Sequence, residues 1–497
     1  MANDPNTIQY VIQEDGFWYV ASKDRTPGVP EITVSAKGVA NGLSSIPNDG
    51  ADFGPDSYDP SYSGSGIPYT STSGIQEALT YAVNQGGATI QLLDDEFDVT
   101  DAPFFTSNDG SCTYQIMIPE VQSDTQITIA LLGAGVSSGL LEKTALTNRS
   151  GGTVIKSLAP TQPTVTVGSW ILGSNDSSYS TTGQNFIRLY IDGISFVVAD
   201  NSNVGGFCGF RVMGLSGGSL QCYTDYSGTS PTTLNQNPRG AMILGHGTEG
   251  DANIHISQVS IFGFQNGLNC GSSLHIGVLE IGYCVNGIYN DANNLDNAVV
   301  VIDYYQIGLT AIPILNETTG VRYFYIGMWG IGDGTTNSSL PYYLQYFIKD
   351  TTGSMTVKGV LGGTYNSSIL LNNLEAYMDI AAGGTVDFAI MPNLKNTAFI
   401  APSISPNPPV SGTAYQNTNP YAIEIDLPVY ATTAGTAGYV TIAKGATDTP
   451  TAIGNQYVSG DTSDTSEQII RLRVPAGWYY EFTASGVTFG TASVFAD

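Results

Sequence analysis

Two carboxylates in the middle of the chain have the residue type and spacing for acid–base chemistry. Glu280 and Asp303 each stand between apolar or aromatic neighbours. In a strand, this pattern predicts a carboxylate that points outward while its neighbours point inward. Hydrolysis of a glycosidic bond needs two carboxyl groups about 5 to 9.5 Å apart. Strands on successive coils of a solenoid lie ~4.8 Å apart, so the two residues are candidate catalytic groups.

An alternative interpretation is that both are solvated surface acids among the 43 Asp and Glu residues. Asp192 and Asp251 are more distant candidates for the same role. Lyase chemistry would need a cluster of Asp residues that binds calcium beside a basic residue, and the sequence shows no such cluster. We therefore predict no metal site.

Two histidines form a second candidate site. His255 and His275 occupy equivalent positions in two similar segments, Ile254-His-Ile256 and Leu274-His-Ile276. On adjacent coils the two rings should stack, and two imidazolium ions at that distance disfavour double protonation. They are a candidate pH-responsive pair, and the alternative is a plain exposed ladder.

Tyr and Trp are concentrated between residues 304 and 347. Outward aromatic rings on a flat sheet form a stacking platform for sugars, because each ring offers apolar area with a polar edge. Two alternatives stay open: half of the rings could fill the coil, or the rings could form a seam between the chains of a trimer. The candidate glycan-binding residues are Tyr304, Tyr305, Tyr323, Tyr325 and Trp329.

A repeat predicts the elements that position these residues. The histidine segment and the corner Asn266-Gly267 recur at the same offset, the corner as Asn286-Gly287, and a further step of similar length leads to Gly308. Apolar alternation with a period near 20 predicts one coil per repeat, with three short strands each. Leucine-rich repeats share this length but need dense leucine, which the segment lacks.

The remaining chain predicts smaller pieces around these coils. Residues 1–70 contain a hairpin and a linker, 71–400 a parallel β-helix, 401–420 a Pro-rich connector and 421–497 a jelly-roll-like β-sandwich. A helix near 73–85, capped by Ser73 and ended by Gly86-Gly87, should close the open end of the coils. Its apolar face is Ile75, Leu79 and Val83. The fold class is all-β, with a right-handed single-stranded β-helix.

Composition excludes some functions. Against 43 acidic residues stand 16 Lys and Arg, and a formal charge of −27 argues against binding nucleic acid or an anionic membrane. No basic and apolar leader opens the chain, and no stretch approaches the ~18 apolar residues of a membrane span. A low-charge, extracellular type of composition without an export signal favours a virion component.

The five cysteines show no CxxC spacing, which argues against a zinc site. The spacings Cys208–Cys222 and Cys270–Cys284 would permit disulfides. Buried, unpaired thiols are the favoured interpretation for each residue taken singly.

Three segments near the start resemble the pectate-lyase-like β-helix superfamily: Asn48-Asp-Gly-Ala-Asp-Phe-Gly54, the helix that follows Ser73, and Gln85-Gly-Gly-Ala-Thr-Ile. The order around Phe53 is altered, and residues 55–70 form an insertion-like loop. With a terminal sandwich, the arrangement is similar to viral tailspikes. That resemblance implies trimeric rods, a tip domain that trimerises or contacts the host, and, in depolymerases, paired carboxylates within or between chains.

The expected function is a virion surface spike or tail fibre, extracellular in location, that binds a host cell-surface glycan or glycoprotein. It should be a homotrimer, attach to other virion proteins through its N-terminal segment, and need no cofactor. The alternatives are a polysaccharide depolymerase, either hydrolase or lyase, and a cellular surface adhesin. A carboxylate pair in a groove would favour the enzyme, and an aromatic shelf without one would favour binding.

Overall fold

Short strands with alternating apolar residues stack into two long sheets, one of fourteen strands and one of ten. Strand pairs in both sheets are parallel, apart from one pair at the end of the ten-stranded sheet. The first unit of the chain, which extends to Ile390, is therefore a parallel β-helix, as predicted. Its right-handed sense stays a prediction, based on the general preference of parallel crossovers.

This computed structural model describes part of the chain. The described residues are 7–14, 17–24, 31–36, 51–58, 70–93, 96–108, 110–121, 126–136, 152–162, 167–174, 185–209, 212–226, 231, 233–245, 254–292, 297–331, 339–361, 378–390, 406–418, 422–433, 436–458 and 468–496.

Among the described residues of the first unit, the strands follow one another with one helix, α1 (Ile75–Asn84), between the third and the fourth. In chain order they are β1 (Thr7–Glu14), β2 (Phe17–Asp24), β3 (Glu31–Val34), β4 (Ala88–Leu92), β5 (Glu96–Asp98), β6 (Phe105–Thr106), β7 (Cys112–Ile118), β8 (Ile127–Leu132), β9 (Thr153–Ser157), β10 (Gly168–Ser174), β11 (Asn185–Asp192), β12 (Ile194–Ala199), β13 (Val204–Cys208), β14 (Val212–Asp225), β15 (Met242–Leu244), β16 (Ile254–Phe262), β17 (Asn266–Cys270), β18 (Leu274–Gly282), β19 (Cys284–Asn290), β20 (Ala298–Ile307), β21 (Thr310–Asn316), β22 (Arg322–Ile331), β23 (Ile348–Asp350), β24 (Met355–Leu361), β25 (Met378–Ile380) and β26 (Thr385–Ile390).

Each coil has three strand segments, as predicted. In one coil these are β11, β12 and β13, with Gly193 between the first two. In the following coils the first two segments merge into one long strand that bends at a corner, where the register skips one residue. The corner residues are Gly218, Ser257, Gly277, Asp303 and Gly327.

The repeat is confirmed for one step and wrong for the next. His255 lies opposite His275 and Asn266 opposite Asn286, which is the predicted offset of 20. Asn286, however, lies opposite Ile312, an offset of 26, so Gly308 is not the next corner. The connection from β17 to β18 spans residues 271–273, whereas that from β19 to β20 spans 291–297. The second connection is four residues longer than the first, and this accounts for most of the longer offset.

The N-terminal segment contains the predicted hairpin, β1 with β2. The β-helix itself begins earlier than predicted, because β3 pairs in parallel with β4. The carboxylate of Asp52 accepts hydrogen bonds from the backbone nitrogen and the hydroxyl of Thr33, at 3.0 and 3.1 Å. The phrase around Phe53 therefore fastens the first strand of the stack.

Helix α1 lies at the predicted place and ends before Gly86, which has φ +80°. Ser73 does not cap it: with φ +53°, its hydroxyl donates to Asp98 O, and the Thr72 hydroxyl accepts the Gln76 N–H at 3.2 Å. The Gln76 amide exchanges two hydrogen bonds with the backbone of Met117 in β7. This closes an open strand edge, the role predicted for the helix. Its buried face is Ile75, Ala78, Leu79 and Ala82, with Val83 only half-buried.

All five cysteines are buried as thiols, so neither permitted disulfide forms. Burial raises the pKa of Cys270 and of Cys284 to about 12. Thiols with such pKa values are protonated and unreactive at neutral pH. The cysteines therefore act as small apolar side chains in the coil.

The second unit, described from residue 406, is an antiparallel β-sandwich, as predicted. One sheet has the order β27-β32-β29-β30, and in the other β28 pairs with β31, β33 and β34. The segment expected to be a connector contributes its first strand, and Asn407 exchanges two side-chain hydrogen bonds with the backbone of Ala492. The strands are β27 (Tyr415–Gln416), β28 (Ile423–Ala431), β29 (Gly438–Gly445), β30 (Thr451–Val458), β31 (Gln468–Val474), β32 (Tyr479–Ser485), β33 (Val487–Phe489) and β34 (Ser493–Ala496).

Candidate functional site

The outer surface of the first strand segment carries Tyr323, Tyr325 and both histidines of the predicted sites. Parallel register aligns outward positions of successive coils into rows, in which neighbours lie about 4.8 Å apart. One row, called here the central row, contains Tyr190, Ser216, His255, His275, Val301, Tyr325, Lys358 and Asp387. Beside it, the flanking row contains Val299, Tyr323, Thr356 and Thr385.

The two rows bring Tyr323 and Tyr325 side by side on β22. Their exposed fractions are 41% and 44%, and Val299 on the neighbouring strand is equally open. Phe324 between them points inward and is buried, so both tyrosine rings must point to solvent. Together with Val299 and the exposed Met328, they form an apolar shelf on the sheet.

Tyr304 borders this shelf and is half-buried. A Cβ atom at Gly330 would lie 2.9 Å from the Tyr304 Cζ atom, so the tyrosine ring covers this glycine of the next coil. A larger residue at position 330 would push the ring away. Tyr304 therefore lies against the sheet and extends the shelf along β20.

Two of the five predicted glycan-binding residues are not on the surface. Tyr305 and Trp329 are both 0% exposed, and their ring centroids lie 5.1 Å apart inside the coil. Strict alternation from Ile302 would point Tyr305 outward. The corner at Asp303 breaks the alternation, because it puts two outward residues in succession. The prediction was wrong for this reason, and the same shift at Gly327 buries Trp329.

The histidines lie as predicted on adjacent coils. The rings of His255 and His275 are 5.0 Å apart and meet edge to face. His275 Nε2 lies 2.9 Å from the Asp303 Oδ1 atom, and these side chains are 39% and 63% exposed. The corner thus turns Asp303 toward the central row, where it pairs with a histidine. Whether the histidine pair responds to pH stays a prediction.

Glu280 lies on a different part of the coil. It belongs to a row of polar residues on the second strand segment, and its Oε2 accepts a hydrogen bond from the Ser260 hydroxyl at 3.2 Å. Burial raises the pKa of Glu280, and the Ser260 hydrogen bond lowers it by less. The polar row is Ser195, Gln221, Ser260, Glu280 and Gln306.

The register does not bring the two candidate catalytic carboxylates together. Glu280 lies opposite Gln306, three residues beyond Asp303, which corresponds to roughly 10 Å along the strand. Their hydrogen-bond partners also differ, Ser260 for Glu280 and His275 for Asp303. This offset along the strand is longer than the roughly 5 Å between the carboxyl groups of a retaining glycosidase and close to the upper end, about 9.5 Å, for an inverting one.

Of the more distant candidates, the structure describes only Asp192, and its carboxylate has a structural role. Asp192 accepts a hydrogen bond from the Ser219 backbone nitrogen at 2.7 Å, and a Cβ atom at Gly218 would overlap its carboxylate. It therefore stabilises the bend of the next coil. Asp251 lies outside the described residues.

Replacing Glu280 with Gln should change how stability depends on pH. Because the folded pKa of Glu280 is raised above its ordinary value of 4.5, its contribution is full at low pH and is lost as pH rises through the folded pKa. The variant lacks this loss, so its stability relative to the parent should rise as the pH increases above the ordinary pKa of 4.5. Urea unfolding at a series of pH values measures it. Exposed Asp387→Asn is the control, and parallel pH profiles for Glu280→Gln and the parent would contradict the prediction.

Sequence reasoning missed three contributors to the surface: Val299, Met328 and the exposed Lys358. Lys358 lies opposite Tyr325 and supplies a cation beside the shelf. The position of Lys358 beside Tyr325 could not be predicted from the sequence, because it depends on the register between β22 and β24, and these strands are far apart in the chain.

Within the part of the chain that the structure describes, no group of three or more His, Cys, Asp or Glu side chains is arranged to hold a metal ion. Among those residues, no helix is both long and apolar enough to cross a membrane.

No protein-family model and no curated protein matches the chain. Among solved structures, the chain is similar to the enzymatically active domain of tailspike protein 4 of bacteriophage CBA120. The similarity has 10% sequence identity and a TM-score of 0.28, and it covers 86% of this chain and 67% of that one. The residues of the surface itself must therefore carry the functional conclusion.

Proposed function

We propose that the protein is a virion surface spike that attaches to a host cell-surface glycan or glycoprotein through the apolar shelf and the members of the central and flanking rows that border it. The observation that carries this proposal is the exposed pair Tyr323 and Tyr325 on one strand face. Aromatic rings offer a sugar an apolar face at low cost in conformational entropy, and a soluble surface normally keeps such rings apart.

Polar groups around the shelf support binding. The Asp303 carboxylate lies open to solvent on the coil next to Tyr325, and the His275 ring that it contacts lies one coil further away. Lys358 lies on the other side of Tyr325. Sugar hydroxyls need both donors and acceptors at the edges of an apolar contact. The shelf is thus bordered by a carboxylate, an imidazole and an ammonium group.

Enzymatic cleavage is the weaker candidate. Its support was the pairing of Glu280 with Asp303, and the register separates them by three residues across a corner. Glu280 lies in a polar row and is half-buried. A homotrimer and an N-terminal attachment to other virion proteins remain parts of the proposal. Sedimentation equilibrium of the full chain measures the oligomeric state.

A binding experiment with the double variant Tyr323→Ala/Tyr325→Ala tests the proposal. The probes are immobilised bacterial capsular polysaccharides and lipopolysaccharide O-chains, measured by surface plasmon resonance with the full chain. If each ring contributes about 1.4 kcal/mol, the double variant should bind roughly 100-fold more weakly. Circular dichroism should be unchanged because both side chains are exposed.

Tyr190→Ala is the matched control. Tyr190 lies on the same central row and is also exposed, but it is five strands from Tyr325, or roughly 24 Å. Its removal should leave binding unchanged. Equal affinity of the double variant and the parent would refute the proposal. Release of reducing ends by the parent, abolished in Glu280→Gln, would establish the enzyme instead.

A further inference from the structure

The sandwich carries a second exposed aromatic pair. Tyr439 of β29 lies opposite Tyr457 of β30, with ring centroids 6.0 Å apart. Tyr457 is 71% exposed and Tyr439 is 38% exposed. Val440, which follows Tyr439, is buried in the core, so both rings point away from the sandwich interior.

Hydrogen-bonding side chains lie directly beside the two rings. Thr441 lies opposite Asn455 on one side and Thr483 on the other, so the three form a row across the sheet, called here the hydroxyl–amide row. The Thr441 hydroxyl donates to Asn455 Oδ1 at 2.8 Å, which directs the Asn455 amide N–H groups to the surface. An aromatic row beside a row of hydroxyl and amide groups suits a sugar, which offers an apolar ring face and a hydroxyl edge.

The charge on this surface selects among sugars. The two rows contain no cation, and Glu481 follows them on β32, where its carboxylate accepts the Thr483 hydroxyl at 2.8 Å. A uronic acid or another anionic sugar would meet a like charge and no basic partner. The surface therefore favours an uncharged saccharide.

The tilt of the rings adds a shape requirement. The planes of Tyr439 and Tyr457 are inclined by 54°. A flat, ribbon-like chain could lie against only one of them. A chain in which successive sugar rings are rotated relative to each other can contact both.

We propose that the outer face of β29 and β30 is a binding site for a neutral, twisted polysaccharide, separate from the rows on the β-helix. The other occupant to consider is a second copy of the chain, because β30 is an edge strand whose residues are exposed up to Tyr457. A contact between copies draws mainly on apolar area at its centre. Here the centre is the hydroxyl–amide row, with Thr441 and Asn455, which favours the saccharide.

Affinity electrophoresis of the full chain tests this site. The native gels contain dextran, laminarin or galactomannan, with alginate as the anionic counterpart. Dextran or laminarin should retard the parent protein more than galactomannan, whose β-1,4-linked backbone is a flat ribbon. Tyr457→Ala should weaken that binding at least tenfold, and Tyr457→Phe should retain most of it because the ring remains.

Two controls separate the possible outcomes. Ile453→Ala removes another exposed side chain of β30, 54% exposed, and should leave retardation unchanged. Tyr323→Ala/Tyr325→Ala should also leave it unchanged, so the failure of one proposal does not depend on the other. The inference is overturned if no neutral polysaccharide retards the parent, or if Tyr457→Ala is retarded equally. It is also overturned if Tyr457→Ala and Ile453→Ala both lower the mass in sedimentation equilibrium, since a second copy would then cover the strand.

Discussion

Replacing Trp329 with Ala should lower the free energy of unfolding by about 4 kcal/mol. The indole is fully buried between Tyr305 and Phe347, with ring centroids 5.1 and 4.8 Å away. Its interior column otherwise contains aliphatic residues of the earlier coils, Val259 and Leu279. Truncation leaves a cavity that stacked coils cannot close, because each coil is held at the strand spacing by its neighbours. Guanidinium unfolding followed by circular dichroism measures the loss.

Tyr325→Ala on the same strand is the matched control. Its side chain is exposed, so the change in stability should stay within about 0.5 kcal/mol. The two variants should thus affect different properties: Trp329→Ala should lower stability, and Tyr325→Ala should weaken glycan binding. If Trp329→Ala had the stability of the parent and bound glycan more weakly, the buried position of Trp329 would be contradicted and its side chain would belong to the binding surface.

The coils could be predicted because two motifs, the histidine segment and the Asn-Gly corner, recur at the same offset in the sequence. The next offset of 26 could not be predicted, since most of the extra residues lie in the connection between β19 and β20, where the sequence shows no apolar alternation to count. The helix α1 was found from its apolar spacing and its terminal glycines. Its capping residue was not, because the positive φ of Ser73 is set by the tertiary structure.

The candidate site shows the same division. Tyr323 and Tyr325 flank Phe324 within an uninterrupted alternation, so their outward direction could be predicted. Tyr305 and Trp329 follow a corner, where one extra outward residue reverses the alternation. For Glu280, alternation correctly predicted that the carboxylate points out of the coil. The side chain is nevertheless half-buried, because its neighbours on adjacent coils cover it. Ser260 and Gln306 of the neighbouring coils flank it, and only the register identifies them.

Gly217→Ala should destabilise the β-helix by about 3 kcal/mol, the upper end of the ordinary cost of overpacking. A Cβ atom at this position would lie 2.0 Å from the Ile191 carbonyl oxygen of the preceding coil. Gly217 is paired on both sides, with Ile191 and with Ile256, so neither neighbour can move without opening a ladder of backbone hydrogen bonds. Chemical unfolding measures the loss, and hydrogen exchange should show weakened protection in β11, β14 and β16.

Gly214→Ala on the same strand distinguishes close contact from the loss of glycine as such. Its Cβ atom would lie 3.4 Å from Arg188 Cγ, an ordinary contact with a flexible side chain. A gain in stability of about 0.5 kcal/mol is expected, because alanine restricts the unfolded chain. If both variants had the parent's stability, the coils could separate locally at no cost. The rows that align Tyr190, His255 and Tyr325 would then lack the fixed spacing on which the proposed binding surface depends.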